Sequence, residues 1–436
     1  MALSLFNKWM LDSMRVYYYW EGGIKNTPPD QTDAHAFFNS LLSSDDRFSY
    51  LEDPEHPAVP ASSYGYYGFL YTMAETNLPG YPMLAIVTMV VPDGPAARQG
   101  LKRGDVILSV NGITINTQNA DKIKAILSQG EVLNLELATI SANTLINTGQ
   151  LSMNAGYFDS PPVFITRVFS NGVKKTGYIY YDEFKGMYDR STLDSLAKFK
   201  QQGITDLVID LRYNPGGDVP SVAKMGAAIA GVGRDQVFLI SQANKNGGKI
   251  TDTFGQSISK SNYPPVSFND ITALQLNIAK LYVLTGSGTA SSAELLINNL
   301  KPYLDVIQIG EQTLGKDMAG FAINDQRQPK QVNLIMHPLI FKLYNASNQG
   351  DYPRGLVPDY LVNELSSLPL KPFGDSADPL ISKALELSLG SGAITSARRK
   401  GDLSVRPGIA KAIYSSSDER SKNNRPMVLE RPQHKF

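Results

Sequence analysis

From residue 162 onward, short and almost wholly apolar runs alternate with amphipathic stretches, and this alternation limits the fold more than any other feature. "TDLVIDL" (205–211), "KLYVLTG" (280–286) and "DVIQIG" (305–310) are strand-length segments with apolar residues on both faces. Such a strand must be covered on both sides. Helical patterns separate them: "STLDSLAKFKQQG" (191–203), with Leu193, Leu196, Ala197 and Lys200 in phase, then "AKMGAAIAG" and "SSAELLINNL" (291–300). "VFITRVF", "KTGYIYYDEF" and "QVFLIS" add further strands. The pattern predicts an α/β layered core over 154–390.

At 436 residues the chain is too long for one small core. Residues 1–63 read as short helices and loops, including an amphipathic start with Leu5, Trp9, Met10 and Met14 near helical spacing. Residues 64–153 are rich in β-formers. Within them, "PDGPAARQGLKRGDVILSVNGITI" (92–115) carries Pro95 at a helix start, Gly100 at a helix stop and an Asn111-Gly112 hairpin turn. A helix over "NADKIKAILSQG" follows, with Ile123, Ile126 and Leu127 on one face. After the amphipathic "DPLISKALELSLG", residues 391–436 form a polar tail; "SGAITSARRKGD" and "SSSDERSKNNRPMVLERPQHKF" are expected to be poorly ordered.

Composition narrows the chemistry. Lysines plus arginines number 41, as do aspartates plus glutamates, and no long basic run occurs, so nucleic acid is not an expected partner. There are no cysteines, which removes disulfides and thiolate chemistry. His35, His56, His337 and His434 lack metal-ligand spacing, so neither a metal nor another cofactor is expected. No run approaches a membrane span, and the first residues lack the basic and apolar segments of a signal peptide.

Three stretches can carry chemistry, and each has a plain structural reading beside it. In "DLRYNPGGDVPS" (210–221), Gly216 and Gly217 either turn the chain from strand to helix or aim backbone amides at an oxyanion. In "GTASSAE" (288–294), Ser291 and Glu294 fit a helix capping box, or a serine nucleophile at a helix N-terminus. In "GEQTLGKDMAG" (310–320), Lys316 is a solvated surface lysine or a desolvated base.

Taken together, "DLRYNPGG", "TASSAE" and "TLGK" resemble the motifs of the S41 family, the C-terminal (tail-specific) processing peptidases. "DDRFSYL" (45–51) and "GLVPDYLV" (355–362) extend the resemblance, and residues 64–153 look like the PDZ domain inserted in such proteases. The resemblance implies a multidomain α/β protein: a mixed α/β serine-peptidase core with crotonase- and ClpP-like layers, a small N-terminal helical region and a β-rich PDZ domain. It implies Ser291 as nucleophile and Lys316, 25 residues on, as base, with Ser292 and Gly216 or Gly217 forming the oxyanion hole. Glu294 would orient the lysine or only cap the helix. Four residues after the lysine, where some members carry Gln, stands Gly320. One branch of the family uses a histidine base, but His56 and His337 read as structural. Gly68, Phe69 and Leu70 would hold a peptide carboxylate; the longer "TMAETNLPGYPM" (72–83) beside them leaves the openness of that groove in question. The implied partners are proteins or peptides with free C-termini, either captured by the PDZ domain or opening the site through it. The implied location is the bacterial periplasm or cell envelope. The other reading is a non-catalytic or latent peptide-binding protein that keeps the fold.

Overall fold

The computed structural model describes residues 3–26, 28–56, 65–141, 144–278, 280–390, 409–424 and 427–431. At its centre lies a six-stranded sheet in the order Tyr360–Leu361, Asp305–Gly310, Lys280–Thr285, Asp206–Asp210, Lys175–Tyr181, Val163–Ser170. All neighbours are parallel except the Val163–Ser170 edge strand. The two-faced apolar strands explain the layers. Ile179, Tyr181, Leu207, Ile209, Leu281 and Val283 enter one core, with the helices Asp189–Gln202, Val219–Ala230 and Ser292–Leu300. Their alternates Tyr178, Tyr180, Val208, Tyr282 and Leu284 enter another, against the helix Pro379–Leu389. Period-two alternation thus feeds both layers from the same strands.

The N-terminal helices Leu5–Tyr17 and Ala34–Ser40 bury Met10, Met14, Phe37 and Phe38 in the first of these cores. A smaller mixed sheet runs Lys249–Thr253, Val237–Gln242, Phe341–Tyr344, Met318–Gly320, Met427–Val428. Among the described residues no helix is long and apolar enough to cross a membrane.

The β-rich unit forms its own sheet in the order Ile409–Ser415, Phe69–Leu78, Tyr81–Val90, Val106–Val110, Leu133–Ser141, Thr144–Met153. Asn111 and Gly112 have φ of 49° and 76°, as the hairpin turn demands. "TMAETNLPGYPM" is not an extra loop over a groove. It is the tip of the Phe69–Leu78/Tyr81–Val90 hairpin, closed at Gly80 with φ 80°. Leu70, Met89 and Val91 join the core shared with the central sheet, so the unit docks there through one face.

The expectation of a poorly ordered polar tail is corrected over 409–424 and 427–431. Ile409–Ser415 is a strand, Ser416–Asn423 a helix and Met427–Val428 a second strand. "SGAITSARRKGD" lies outside the described residues. A polar segment cannot build a core of its own. It can complete sheet edges that other segments leave open, and Met427, only 2% exposed, inserts into the main core.

A buried ionic cluster joins the layers. Arg212 bonds Asp210 at 2.8 and 3.0 Å and Asp378 at 2.9 and 3.1 Å. From the β-rich unit, Arg103 reaches Glu364 at 3.0 Å and the Tyr213 hydroxyl at 2.9 Å. Removing one member of such a cluster strands the others without solvent. Arg212→Ala should therefore lower unfolding stability by about 3–5 kcal/mol, measured by denaturant titration against the native chain.

Candidate active site

The strand Lys280–Thr285 ends in a loop that enters the helix Ser292–Leu300 through Ser291. Ser291 has φ 59° and ψ −122°, a backbone conformation that costs a non-glycine residue about 1–3 kcal/mol. Surrounding bonds hold it there. The Thr289 hydroxyl donates to the Leu211 carbonyl at 2.8 Å, and Ala290 N donates to the Asn214 carbonyl at 3.0 Å. Leu314 N donates to the Thr289 carbonyl at 2.9 Å. The loop is thus tied to both of the other motif stretches, and the turn aims the serine away from the strand it follows.

Glu294 is fully buried and does more than cap. Its Oε2 accepts from the amides of Ser291 and Lys316, both at 2.8 Å. Its Oε1 accepts from Gly315 N at 2.7 Å and the Thr313 hydroxyl at 2.5 Å. Four donors use the acceptor capacity of a carboxylate. Burial pushes this carboxyl up from its usual range, against the pull of those four bonds. One oxygen atom therefore joins the backbone of the candidate nucleophile to the backbone of the candidate base.

Lys316 is fully buried. Its pKa is pushed down to about 8, chiefly by desolvation; Arg47 assists and the Glu294 charge opposes. Its Nζ lies 5.0 Å from the centre of the Phe48 ring and donates to the carbonyls of Asn424 at 2.6 Å and Ser421 at 3.4 Å. Arg47 fastens the lysine's turn by donating to the carbonyls of Gly315 and Pro353, both at 2.7 Å. Thus "DDRFSYL" supplies both the clamp and the apolar cover of the lysine. Arg47, Phe48, Thr313 and Asn214 had no assigned role in the sequence reading. The quoted motifs contained all four, but nothing local shows what they touch.

The glycine pair sits against the serine. A Cβ on Gly216 would stand 2.6 Å from Ser291 Cβ, 2.9 Å from Ser292 N and 3.0 Å from Ser291 Oγ, so only glycine fits. The Gly216 amide donates to Asn214 Oδ1 at 2.8 Å. Gly217 forms a parallel bridge with Phe184, made through the Gly216 carbonyl and the Asp218 amide. Its own amide and carbonyl therefore face the other way. The Gly217 carbonyl there accepts from the Ser292 hydroxyl at 2.5 Å.

The fold brings together Ser291, Ser292, Glu294, Lys316, Gly216 and Gly217. It does not bring in the histidines examined in the sequence. His337 bonds Glu52 at 2.9 Å and stacks on Tyr50, while His56 pairs with Asp53 on the surface. Gly320 has a steric cause: a Cβ there would stand 2.1 Å from the Pro338 carbonyl oxygen, so no glutamine can occupy the position without moving backbone. In the β-rich unit, Gly68 has φ 80°. Phe69 and Leu70 are buried residues that open the strand Phe69–Leu78, whose outer side pairs with Ile409–Ser415. A buried hydroxyl at a helix N-terminus, a lysine whose pKa burial lowers to about 8 and turned glycine amides are groups that acyl transfer uses.

The sequence pattern of peptidase family S41 matches residues 175–362, that of the S41 N-terminal domain 6–50 and that of a PDZ domain 86–139. The carboxyl-terminal-processing protease of Picosynechococcus sp. is 25% identical over 285 residues, 64% of this chain and 61% of that protein. The chloroplastic C-terminal processing peptidase of Tetradesmus obliquus is 27% identical over 246 residues, 53% of this chain and 48% of that protein. The chain thus spans less than two thirds of the length of these relatives. A solved Bacteroides fragilis structure assigned to the S41 proteases superposes with a TM-score of 0.71 at 26% identity, covering 87% of this chain and 96% of that one. The photosystem II D1 C-terminal processing protease shares the fold, with a TM-score of 0.51 at 18% identity over 89% of this chain and 98% of that one. With its three motifs gathered at one strand-to-helix turn and these matches running from the N-terminal helices through the inserted β-unit to the central sheet, the chain belongs to peptidase family S41.

Proposed function

We propose that the chain is a serine peptidase that cuts proteins near their C-termini, with Ser291 as nucleophile and Lys316 as its base. The observation that carries this reading is the shared carboxylate of Glu294. It fastens a lysine of lowered pKa to the strained turn that presents the serine. In the first step neutral Lys316 takes the Ser291 proton while Oγ attacks the peptide carbonyl carbon. The carbonyl becomes an oxyanion, which the amides of Gly217 and Ser292 receive. Gly217 is chosen over Gly216 because the Gly216 amide already serves Asn214. The lysine ammonium then protonates the leaving amine, and a water repeats the cycle on the acyl-enzyme. Glu294 is a positioning residue, since its four donors leave the lysine's Nζ to other partners.

A peptide C-terminus added along the Phe69–Leu78 edge, with its carboxylate toward Gly68, supplies the substrate or opens the site. The periplasm or cell envelope belongs to the same proposal.

The charge states fix the pH dependence. Lysine acts as a base only when neutral, and its neutral fraction grows as pH rises through about 8. Casein cleavage, measured as kcat/KM over whatever fraction of sites stands open, should climb along one limb centred near that value and level above it. Ser291→Ala and Lys316→Ala should each lose at least about 1,000-fold. A limb that survives in Lys316→Ala would remove the lysine from the role of base.

Glu294→Gln keeps the shape but replaces one acceptor oxygen with a donor, set against backbone amides. It should cost about 2–3 kcal/mol of stability and lower kcat more than it raises KM. The pH limb should move down, because the carboxylate that raises the lysine's pKa is gone. A purely structural cap would change stability and leave the limb in place.

A further inference from the structure

Residues 409–424 run through both places where a substrate would bind. The strand Ile409–Ser415 lies antiparallel to Phe69–Leu78, pairing Ile409 with Thr76 and Ser415 with Thr72. Its direction is therefore toward Gly68, the direction of a peptide whose C-terminus ends at that loop. Tyr414 packs at a tilt against Tyr71, 5.7 Å between ring centres, and lies under Lys124 Nζ at 4.8 Å, between the strand Phe69–Leu78 and the helix Ala120–Leu127. Where a ligand would end, the chain turns instead, and the Tyr71 amide donates to the Ser416 hydroxyl at 2.8 Å.

The helix Ser416–Asn423 then covers the catalytic loops, touching all three motif stretches. Asp418 accepts from the Ser287 hydroxyl at 2.8 Å, and the Ser421 hydroxyl donates to the Gly288 carbonyl at 2.5 Å. Asn424 donates to the Pro215 carbonyl at 3.2 Å, and its own carbonyl receives Lys316 Nζ at 2.6 Å. Arg420 anchors the helix on Asp182 at 2.9 and 3.1 Å. A scissile peptide must be extended for a serine to reach its carbonyl. This segment is helical over the site, so it blocks the site rather than presenting a bond to cut.

We infer that residues 409–424 are a tethered occupant of the peptide groove and the catalytic cleft, and that a polypeptide partner with a free C-terminus enters by displacing the Ile409–Ser415 strand from the Phe69–Leu78 edge. The strand is the part to yield first. Lys411, Ala412 and Ile413 have exposed side chains, so backbone pairing and Tyr414 hold it. A tethered segment acts at an effective concentration of about a millimolar, so partners present at micromolar levels meet a closed site. The inference rests on the peptidase reading only in naming the excluded partner a substrate.

The test compares the full chain, the chain ended after Gly390, and full-length Tyr414→Ala, which keeps the helix and its anchors. A fluorescent peptide of residues 409–431 reports binding, and a serine-reactive fluorophosphonate reports access to Ser291. The shortened chain should bind the peptide, and apolar C-terminal peptides should compete it off. It should label at least about tenfold faster than the full chain, and added peptide should reverse the gain. Tyr414→Ala should fall between the two and keeps the test decisive should the shortened chain not fold. A folded shortened chain that ignores the peptide, or Tyr414→Ala that neither labels faster nor admits the peptide, overturns the inference. Peptide binding with competition, but no labelling of any form, sustains the occupancy and removes Ser291 from the nucleophile's role instead.

Discussion

Everything at the candidate site depends on one buried carboxylate. Isolated burial of Glu294 would cost several kcal/mol, and a neutral acid could not accept all four of its bonds as a carboxylate does. The donors come from three separate places: the helix entrance at Ser291, the hydroxyl of Thr313 and the turn at Gly315 and Lys316. None of these amides belongs to a regular ladder, so each would otherwise be buried without a partner. The carboxylate and the loops thus need one another. The relative placement of the Ser291 and Lys316 backbones follows from that need.

This arrangement requires a rigid frame, which the parallel sheet supplies. The strands Asp206–Asp210, Lys280–Thr285 and Asp305–Gly310 lie side by side and end at the same edge. Each of the three motif stretches follows one of them. The site therefore sits at the carboxyl ends of parallel strands, where the crossovers that join them deliver successive loops. The front of the chain completes it: Arg47 closes the lysine's turn from outside, and Phe48 excludes water from the Nζ.

What sequence disclosed followed from how local each determinant is. Two-faced strands, the Asn111-Gly112 turn and the helix 379–389 are written in neighbouring residues, and the structure has them where the pattern put them. The residues of the site were legible because they cluster in three short motifs. What Glu294 holds besides the helix entrance was not, since its other partners lie about twenty residues away. Gly320 read as a loss, yet the obstacle is the Pro338 carbonyl on another strand, which no local pattern reveals. The tail failed for the same reason in reverse. Its own composition predicts disorder, while its order comes from the open edges at Phe69–Leu78 and Met318–Gly320 and from the buried pairing of Arg420 with Asp182.

The two roles proposed for Lys316 have one physical origin. Desolvation weakens its ammonium form and so makes a base available near neutral pH. The same dry environment makes carbonyl acceptors valuable to that ammonium, and the Asn424 carbonyl is such an acceptor at 2.6 Å. An ammonium bonded to a carbonyl cannot accept the serine's proton. While the helix Ser416–Asn423 stays in place, the Asn424 carbonyl therefore competes with the serine for the lysine's Nζ as well as shielding it. Lifting the helix frees Nζ from that carbonyl but also admits water to it, so an entering polypeptide must restore the dry surroundings that keep the lysine's pKa low.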